Sequence, residues 1–328
     1  MDRIPISYQE IMEYFISQSM AGKVNPYNLR SKTITHIEQV TQRPLLCYVA
    51  RTDSMMQRID VPNYINDDDL LTFQDFISEN NKYEIDILII SNGGSAESAE
   101  RIVNLLRSRF RSIRWIVPFN AYSAATLLCL SGDAIIMGPA GTLGPVDPQI
   151  NGIPARAILR AFEEVRERLK IEGPAALTAY MPLLAKYDLH LLEICKSALE
   201  LSQELVRKWL SQYMFHCDQN DDRVIQCVEF FSSFDIHKSH GRSIDRKTAR
   251  DKGLVVTFDE EIVGLPNLLR SLSNQYKWFF DNFPVVKIVE NGHGKSTAIL
   301  LEMQQSSPLT STPENMRGIP PTSSENLP

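Results

Sequence analysis

Four apolar runs of strand length punctuate the first half of the chain: Pro44–Ala50, Ile85–Ile90, Ile113–Pro118 and Ala134–Met137. They are short for helices, and stretches of helical spacing lie between them. Leu70–Glu79 is one such stretch. Ser95–Phe110 is the clearest, because Ala99, Ile102, Val103, Leu106 and Phe110 recur three and four apart and would cover one helix face. Strand alternating with helix predicts an α/β fold built on a layered parallel sheet. After Gly152 the spacing turns mostly helical, with a charged helix over Ala155–Lys170 and a longer one over Leu191–Leu210, striped by Ile194, Ala198, Leu201, Leu205 and Trp209.

At 328 residues the chain is long enough for about two domains, or for one large α/β domain with arms. The patterning favours the second: an N-terminal arm over 1–43 with a helix at Tyr8–Gln18, a main domain over 44–295 with a helical insertion at about 153–235, and a tail over 296–328. Five prolines between Pro308 and Pro328, with few large apolar groups, predict a disordered tail. A formal charge of −6 gives no support to a phosphate-coating protein, so no nucleic acid partner is expected. The five cysteines are scattered without a CxxC pair, which argues against a disulfide frame or an all-cysteine zinc site. The most apolar stretch, Ala121–Pro139, is broken by Ser131, Gly132 and Asp133, and no secretory leader is visible at the N-terminus; the expectation is a cytoplasmic protein.

Two segments could carry chemistry. In Ile89–Ser95 a buried strand runs into Gly93 and Gly94 and then a helix, with Ser95 placed as its N-cap. Paired glycines let bare amides approach a ligand, or they simply turn the chain. In Ile116–Leu130 a second strand precedes a helix, with Ser123 near the helix start and Ala121, Ala124 and Ala125 leaving it uncrowded. That serine is either a helix cap or a nucleophile whose neighbouring Ala124 amide faces a developing oxyanion. Both segments end strands on one edge of a parallel sheet, where open α/β folds hold ligands.

The stretches SNGGSAESAERIVNLLR and IRWIVPFNAYSAATLLCLSGDAIIMGPAGTLGPVDPQ together resemble the Clp protease and crotonase fold in its signal-peptide-peptidase-like branch. Within that branch the chain is most similar to the serine dehydrogenase proteinase family. The Gly141–Gln149 loop is the most specific piece, and Leu183–Tyr187 and Ser239–Leu254 extend the similarity over roughly 45–295. Thr248 departs from the acid that relatives tend to carry there, and the membrane segment that precedes many of them is not seen. The resemblance implies Ser123 as nucleophile, the Gly94 and Ala124 amides as oxyanion donors, and a lysine base. Such a lysine must be desolvated to lose its proton near neutral pH. Lys186 fits, among Leu183, Leu184, Ala185 and Leu189, whereas its competitor Lys170 lies among Arg166, Glu167, Arg168 and Glu172.

The expected function is thus an ATP-independent serine peptidase acting on extended peptide segments through a Ser-Lys dyad, without cofactor or metal. It would work as a homo-oligomer, with room for a peripheral membrane or membrane-protein partner. Two rivals stand beside it: a crotonase-like acyl-CoA enzyme, for which Glu97 is the nearby carboxylate, and a non-catalytic scaffold that binds peptides or partners in the same groove.

Several motifs read as decoys. Gly292–Thr297 echoes a phosphate-binding loop, but Val289 stands where the first glycine belongs. His237 and His240 at HxxH spacing, and His216 beside Cys217, bring no further ordered ligands for a metal. The acidic run Asp67–Asp69 precedes a helix and would stabilise its positive end.

Overall fold

The structure is a computed structural model and describes residues 3–52, 61–78, 81–185 and 189–301. The order of elements is α1 (Tyr8–Met20), α2 (Pro26–Thr41), β1 (Leu45–Ala50), α3 (Asp68–Ser78), β2 (Glu84–Ile90), α4 (Ala96–Arg109), β3 (Ser112–Val117), β4 (Asn120–Ala121), α5 (Ala124–Leu130) and β5 (Ala134–Met137). Next come β6 (Thr142–Leu143), β7 (Gln149–Ile150), β8 (Ile153–Pro154), α6 (Ala155–Glu172), α7 (Leu177–Leu184), α8 (Leu189–Trp209), α9 (Asp222–Ser232) and α10 (Phe234–His237). The chain then runs through β9 (Ile244–Asp245), α11 (Arg246–Asp251), β10 (Val256–Phe258), α12 (Leu265–Asn282), β11 (Val285–Asn291) and β12 (Ser296–Leu300).

Seven strands form the main sheet in the order β10-β5-β3-β2-β1-β11-β12. The first five are parallel, as the alternation predicted. The last two reverse direction, β11 pairing antiparallel with β1 and β12 antiparallel with β11. β1 is buried along its whole length, which is why its sequence is a continuous apolar run and not an alternating one. Successive side chains point to opposite faces. Leu46, Tyr48, Ile87, Ile89, Trp115 and Val117 share a core with α3, α4, α5, α8 and α9. Leu45, Cys47, Val49, Leu88, Ile90, Ile116 and Ile136 meet α2 and α12 on the other side.

Residues 1–43 were expected to be an arm, and the structure makes part of them a layer of the core. Leu29, Arg30, Thr33, Ile34 and Ile37 of α2 are all buried, a helical stripe that a buried arginine and threonine disguise as polar sequence. Arg30 reaches Glu290 of β11 through bonds of 2.6 and 3.1 Å. α1 opens with a capping box of Ser7 and Glu10 and lays Phe15 on Trp278 of α12, ring centres 3.8 Å apart. The start of the expected tail also needs correction: residues 296–300 form β12, while the remaining 302–328 lie outside the described residues. Gly292–Lys295 is the turn of the β11–β12 hairpin, and it leads directly into strand β12, not into a helix whose N-terminus could face a phosphate. No helix among the described residues is long and apolar enough to cross a membrane.

A second sheet, small but decisive for the site, has the order β4-β6-β9. β4 and β6 run parallel, pairing Asn120 with Thr142 and Ala121 with Leu143. β6 and β9 run antiparallel, pairing Thr142 with Asp245 and Leu143 with Ile244.

Candidate active site

Ser123 occupies the sharp turn between β4 and α5, with φ 51° and ψ −120°. For a residue with a Cβ this lies outside the ordinary backbone regions and costs about 1–3 kcal/mol, a strain that gathers at functional turns. The half-buried serine hydroxyl makes no capping bond to α5, so the capping alternative is not realised. Ala121 and Ala125, two residues either side, are fully buried and leave the turn room to form.

The glycine pair meets this turn. β2 continues through Ser91, which pairs with Ala121, and the next residues are held by Gly93 N–H donating to Ser91 Oγ (3.1 Å) and Asn120 Nδ2 donating to Asn92 Oδ1 (2.8 Å). Gly93 has φ +106° and lies so close to the serine turn that a Cβ there would stand 2.7 Å from Ser123 Cβ and 3.0 Å from the Ala124 nitrogen. Glycine is required at Gly93 on both counts. On the far side Ile65 forms a parallel bridge: its N–H donates to the Gly93 carbonyl (2.9 Å), and its carbonyl accepts from Ser95 N–H (3.0 Å). A Cβ on Gly94 would overlap the Ile65 backbone, with Ile65 Cα at 2.8 Å. Since Gly93 and Ser95 turn their bonding groups to Ile65, the Gly94 N–H and carbonyl face the opposite way. Among the described residues neither the Gly94 nor the Ala124 amide has an acceptor. Ser95 caps α4 as expected, its hydroxyl oxygen accepting from Ser98 N–H (3.0 Å).

The expected base, Lys186, lies outside the described residues. Its competitor Lys170 is exposed and paired with Glu167 at 2.8 Å. Glu97, the carboxylate of the acyl-CoA alternative, is exposed and accepts from Ser95 Oγ at 2.8 Å.

One pair escaped the sequence reading. Asp147, in the loop after β6, is 1% exposed and accepts from His240 Nδ1 at 2.9 Å. Its Oδ2 is buried with no partner among the described residues. Asp147 follows Leu143 by four residues and His240 precedes Ile244 by four, so the pair continues the β6–β9 register. Ser123 follows Ala121 by two, on a strand parallel to β6. All three residues therefore leave the same end of the small sheet. Gly144 keeps the two exits close, since a Cβ there would stand 2.9 Å from Tyr122 Cδ1 and 3.2 Å from Tyr122 Cα. Val146 beside Asp147 is fixed from both sides, its N–H donating to Phe231 carbonyl (2.9 Å) and its carbonyl accepting from Ser202 Oγ (2.6 Å). With the Asp147 carboxylate as acceptor, the tautomer that makes this bond carries its proton on Nδ1 and has Nε2 as the ring's accepting nitrogen. His237 turns elsewhere, donating from Nε2 to Phe230 carbonyl at 2.6 Å, so the HxxH pair serves two different partners. The one sequence signal that could have found the pair was an aspartate inside the loop already read as the most specific.

Two uncharacterised proteins of Methanocaldococcus jannaschii are 41% identical over 80 residues, covering 24% of this chain, and 32% identical over 126 residues, covering 38%. These matches span only 28% and 38% of the relatives' own lengths. Among solved structures, a variant of the 1510-N membrane-bound stomatin-specific protease covers 59% of this chain and 75% of its own at 17% identity and TM-score 0.35. A variant of ClpP1 from Listeria monocytogenes covers 72% and 99% at 13% identity and TM-score 0.37. The sequence model of the ClpP-like SDH-type serine proteinases matches residues 8–179, more than half of the chain, and the protein belongs to that family.

Proposed function

We propose that the protein is a serine peptidase in which Ser123 attacks the carbonyl of an extended peptide and the Gly94 and Ala124 amides receive the developing negative charge. The observation that carries this reading is the contact of Gly93 with Ser123 and Ala124, which brings a strained serine turn and two acceptor-free amides to one place. Two groups compete as base. Lys186 is the one that the resemblance implies. The His240–Asp147 hydrogen bond favours His240: Nε2 takes the hydroxyl proton, Asp147 holds the ring and stabilises the imidazolium, and the proton passes to the leaving amine. The serine ester left behind is hydrolysed by water activated through the same nitrogen.

Substrate backbone would pair with the open side of Gly94, since the other side of this segment is taken by Ile65. Nothing in this scheme uses a nucleotide. Exposed apolar side chains on the later helices, among them Ile171, Met181 and Ile194, support assembly of several copies, which light scattering would test.

The deciding experiment is reaction with a fluorophosphonate, alongside peptide hydrolysis. An adduct is expected at Ser123 and none in Ser123→Ala. His240→Gln is expected to lower kcat/KM by about 10³–10⁴-fold, with Lys186→Met far less affected; the reverse ranking assigns the base to Lys186. A folded, assembled parent that takes no label, with hydrolysis undiminished in Ser123→Ala, rejects the reading.

A further inference from the structure

The segment Tyr64–Ile65–Asn66, bent at Tyr64, meets the Gly93–Gly94 turn through the Ile65 bridge. In a strand the bonding groups of neighbouring residues point to opposite sides, so Tyr64 and Asn66 need partners of their own. Among the described residues no further strand supplies them. The Tyr64 carbonyl accepts from Lys287 Nζ at 3.0 Å, and Asn66 N–H donates to Asp69 Oδ2 at 3.1 Å. Lys287, on β11, and Asp69, in the first turn of α3, are each 1% exposed and pair with each other at 2.6 Å. Tyr48 of β1 closes the group, its hydroxyl donating to Asp69 Oδ2 at 2.9 Å. One cation and one anion thus take the place of the missing strand, offering a donor and an acceptor where a backbone would have offered both.

The arrangement is costly for an ordinary core position. A buried ion pair loses its hydration, and apolar residues of similar volume are often as stable or more so. What the pair supplies that apolar residues lack is a direction for the two peptide groups. Asp69 was expected to serve the α3 terminus like its neighbours; it does so through Asn66 N–H and also reaches inward to Lys287, while Asp67 pairs with Arg101 at 2.6 Å and accepts from Ser98 Oγ at 2.8 Å.

We infer that Lys287 and Asp69 are positioning residues: as a buried clamp on Tyr64–Ile65–Asn66, they fix the aim of the Gly94 amide at the reacting carbonyl. The inference rests on the peptidase reading. It is tested apart from that reading by exchange of the Ile65 and Ser95 amide protons, which report the Ile65 bridge whatever the activity.

In the double variant Lys287→Met/Asp69→Leu, exchange at both amides is expected to rise at least tenfold while helix α12 stays protected. The same variant is expected to lose at least tenfold in kcat, with KM changed less than threefold. A folded variant with unchanged exchange overturns the inference, as does one with faster exchange and undiminished kcat. Should the double variant fail to fold, Asp69→Asn, which keeps the shape, is judged by the same two measurements. A parent that takes no fluorophosphonate overturns the peptidase reading and the catalytic half of the inference, and the exchange result then decides the clamp alone.

Discussion

Replacing Gly93 by alanine is the most direct probe of the contact on which the proposed site depends. The added Cβ would stand 2.6 Å from the Tyr122 carbonyl oxygen, 2.7 Å from Ser123 Cβ and 3.0 Å from the Ala124 nitrogen. Carbon atoms in contact rest at about 3.5–4.0 Å, so the glycine turn and the serine must part by roughly 1 Å. Displacement on that scale beside reacting atoms costs about 100-fold in rate, or about 2.7 kcal/mol of transition-state stabilisation. Alanine at φ +106° adds backbone strain of about 1–3 kcal/mol, which lowers stability without itself touching the chemistry. Gly253 separates the two effects, because it has φ +96° with nothing within 4 Å of its would-be Cβ. Gly253→Ala should lose stability and keep activity; Gly93→Ala should lose both. Fluorophosphonate labelling rates, kcat/KM and urea midpoints of the two variants and the parent give the comparison. Labelling by Gly93→Ala within threefold of the parent would refute the idea that this close approach sets the site.

Two further expectations concern stability. Arg30 and Glu290 form a bidentate pair with side chains 3% and 0% exposed, and Arg30→Met strands the carboxylate in the core; urea unfolding should record a loss of about 3–5 kcal/mol, largely recovered in Arg30→Met/Glu290→Leu. Burial lowers the His237 pKa, so as pH falls below about 6.5 the unfolded chain takes up a proton that the folded one refuses. The His237 contribution to stability is therefore present above that value and lost as pH drops toward the depressed folded one. His237→Gln should flatten the fall in urea midpoint between pH 7.5 and 5.5, and an unchanged slope would count against the assignment.

The sequence by itself determined the parts of this protein that are written locally. The four apolar runs became β1, β2, β3 and β5, and the spacing of Ala99, Ile102, Val103 and Leu106 became the buried face of α4. A strand that must be buried on both faces and a helix that must be buried on one carry their periodicity in consecutive residues. The Gly93 and Ser123 turns were legible as strand-to-helix breaks, but the expectation that both strands belong to one sheet needs correction: Gly93 follows β2 of the main sheet, Ser123 follows β4 of the small one, and a single bridge between Ser91 and Ala121 joins them.

Tertiary structure alone decided the pairings between distant residues. Asp147 and His240 stand 93 positions apart and meet because the β6–β9 register brings them level. Asp69 looked like its two acidic neighbours until β11 placed Lys287 against it. α2 read as polar because Arg30 and Thr33 interrupt its stripe, and only the partner Glu290 makes a buried arginine tolerable there. A charged side chain announces exposure in sequence; whether it is instead buried depends on an opposite charge whose position is set by sheet order and register, and neither is encoded in the residues beside it.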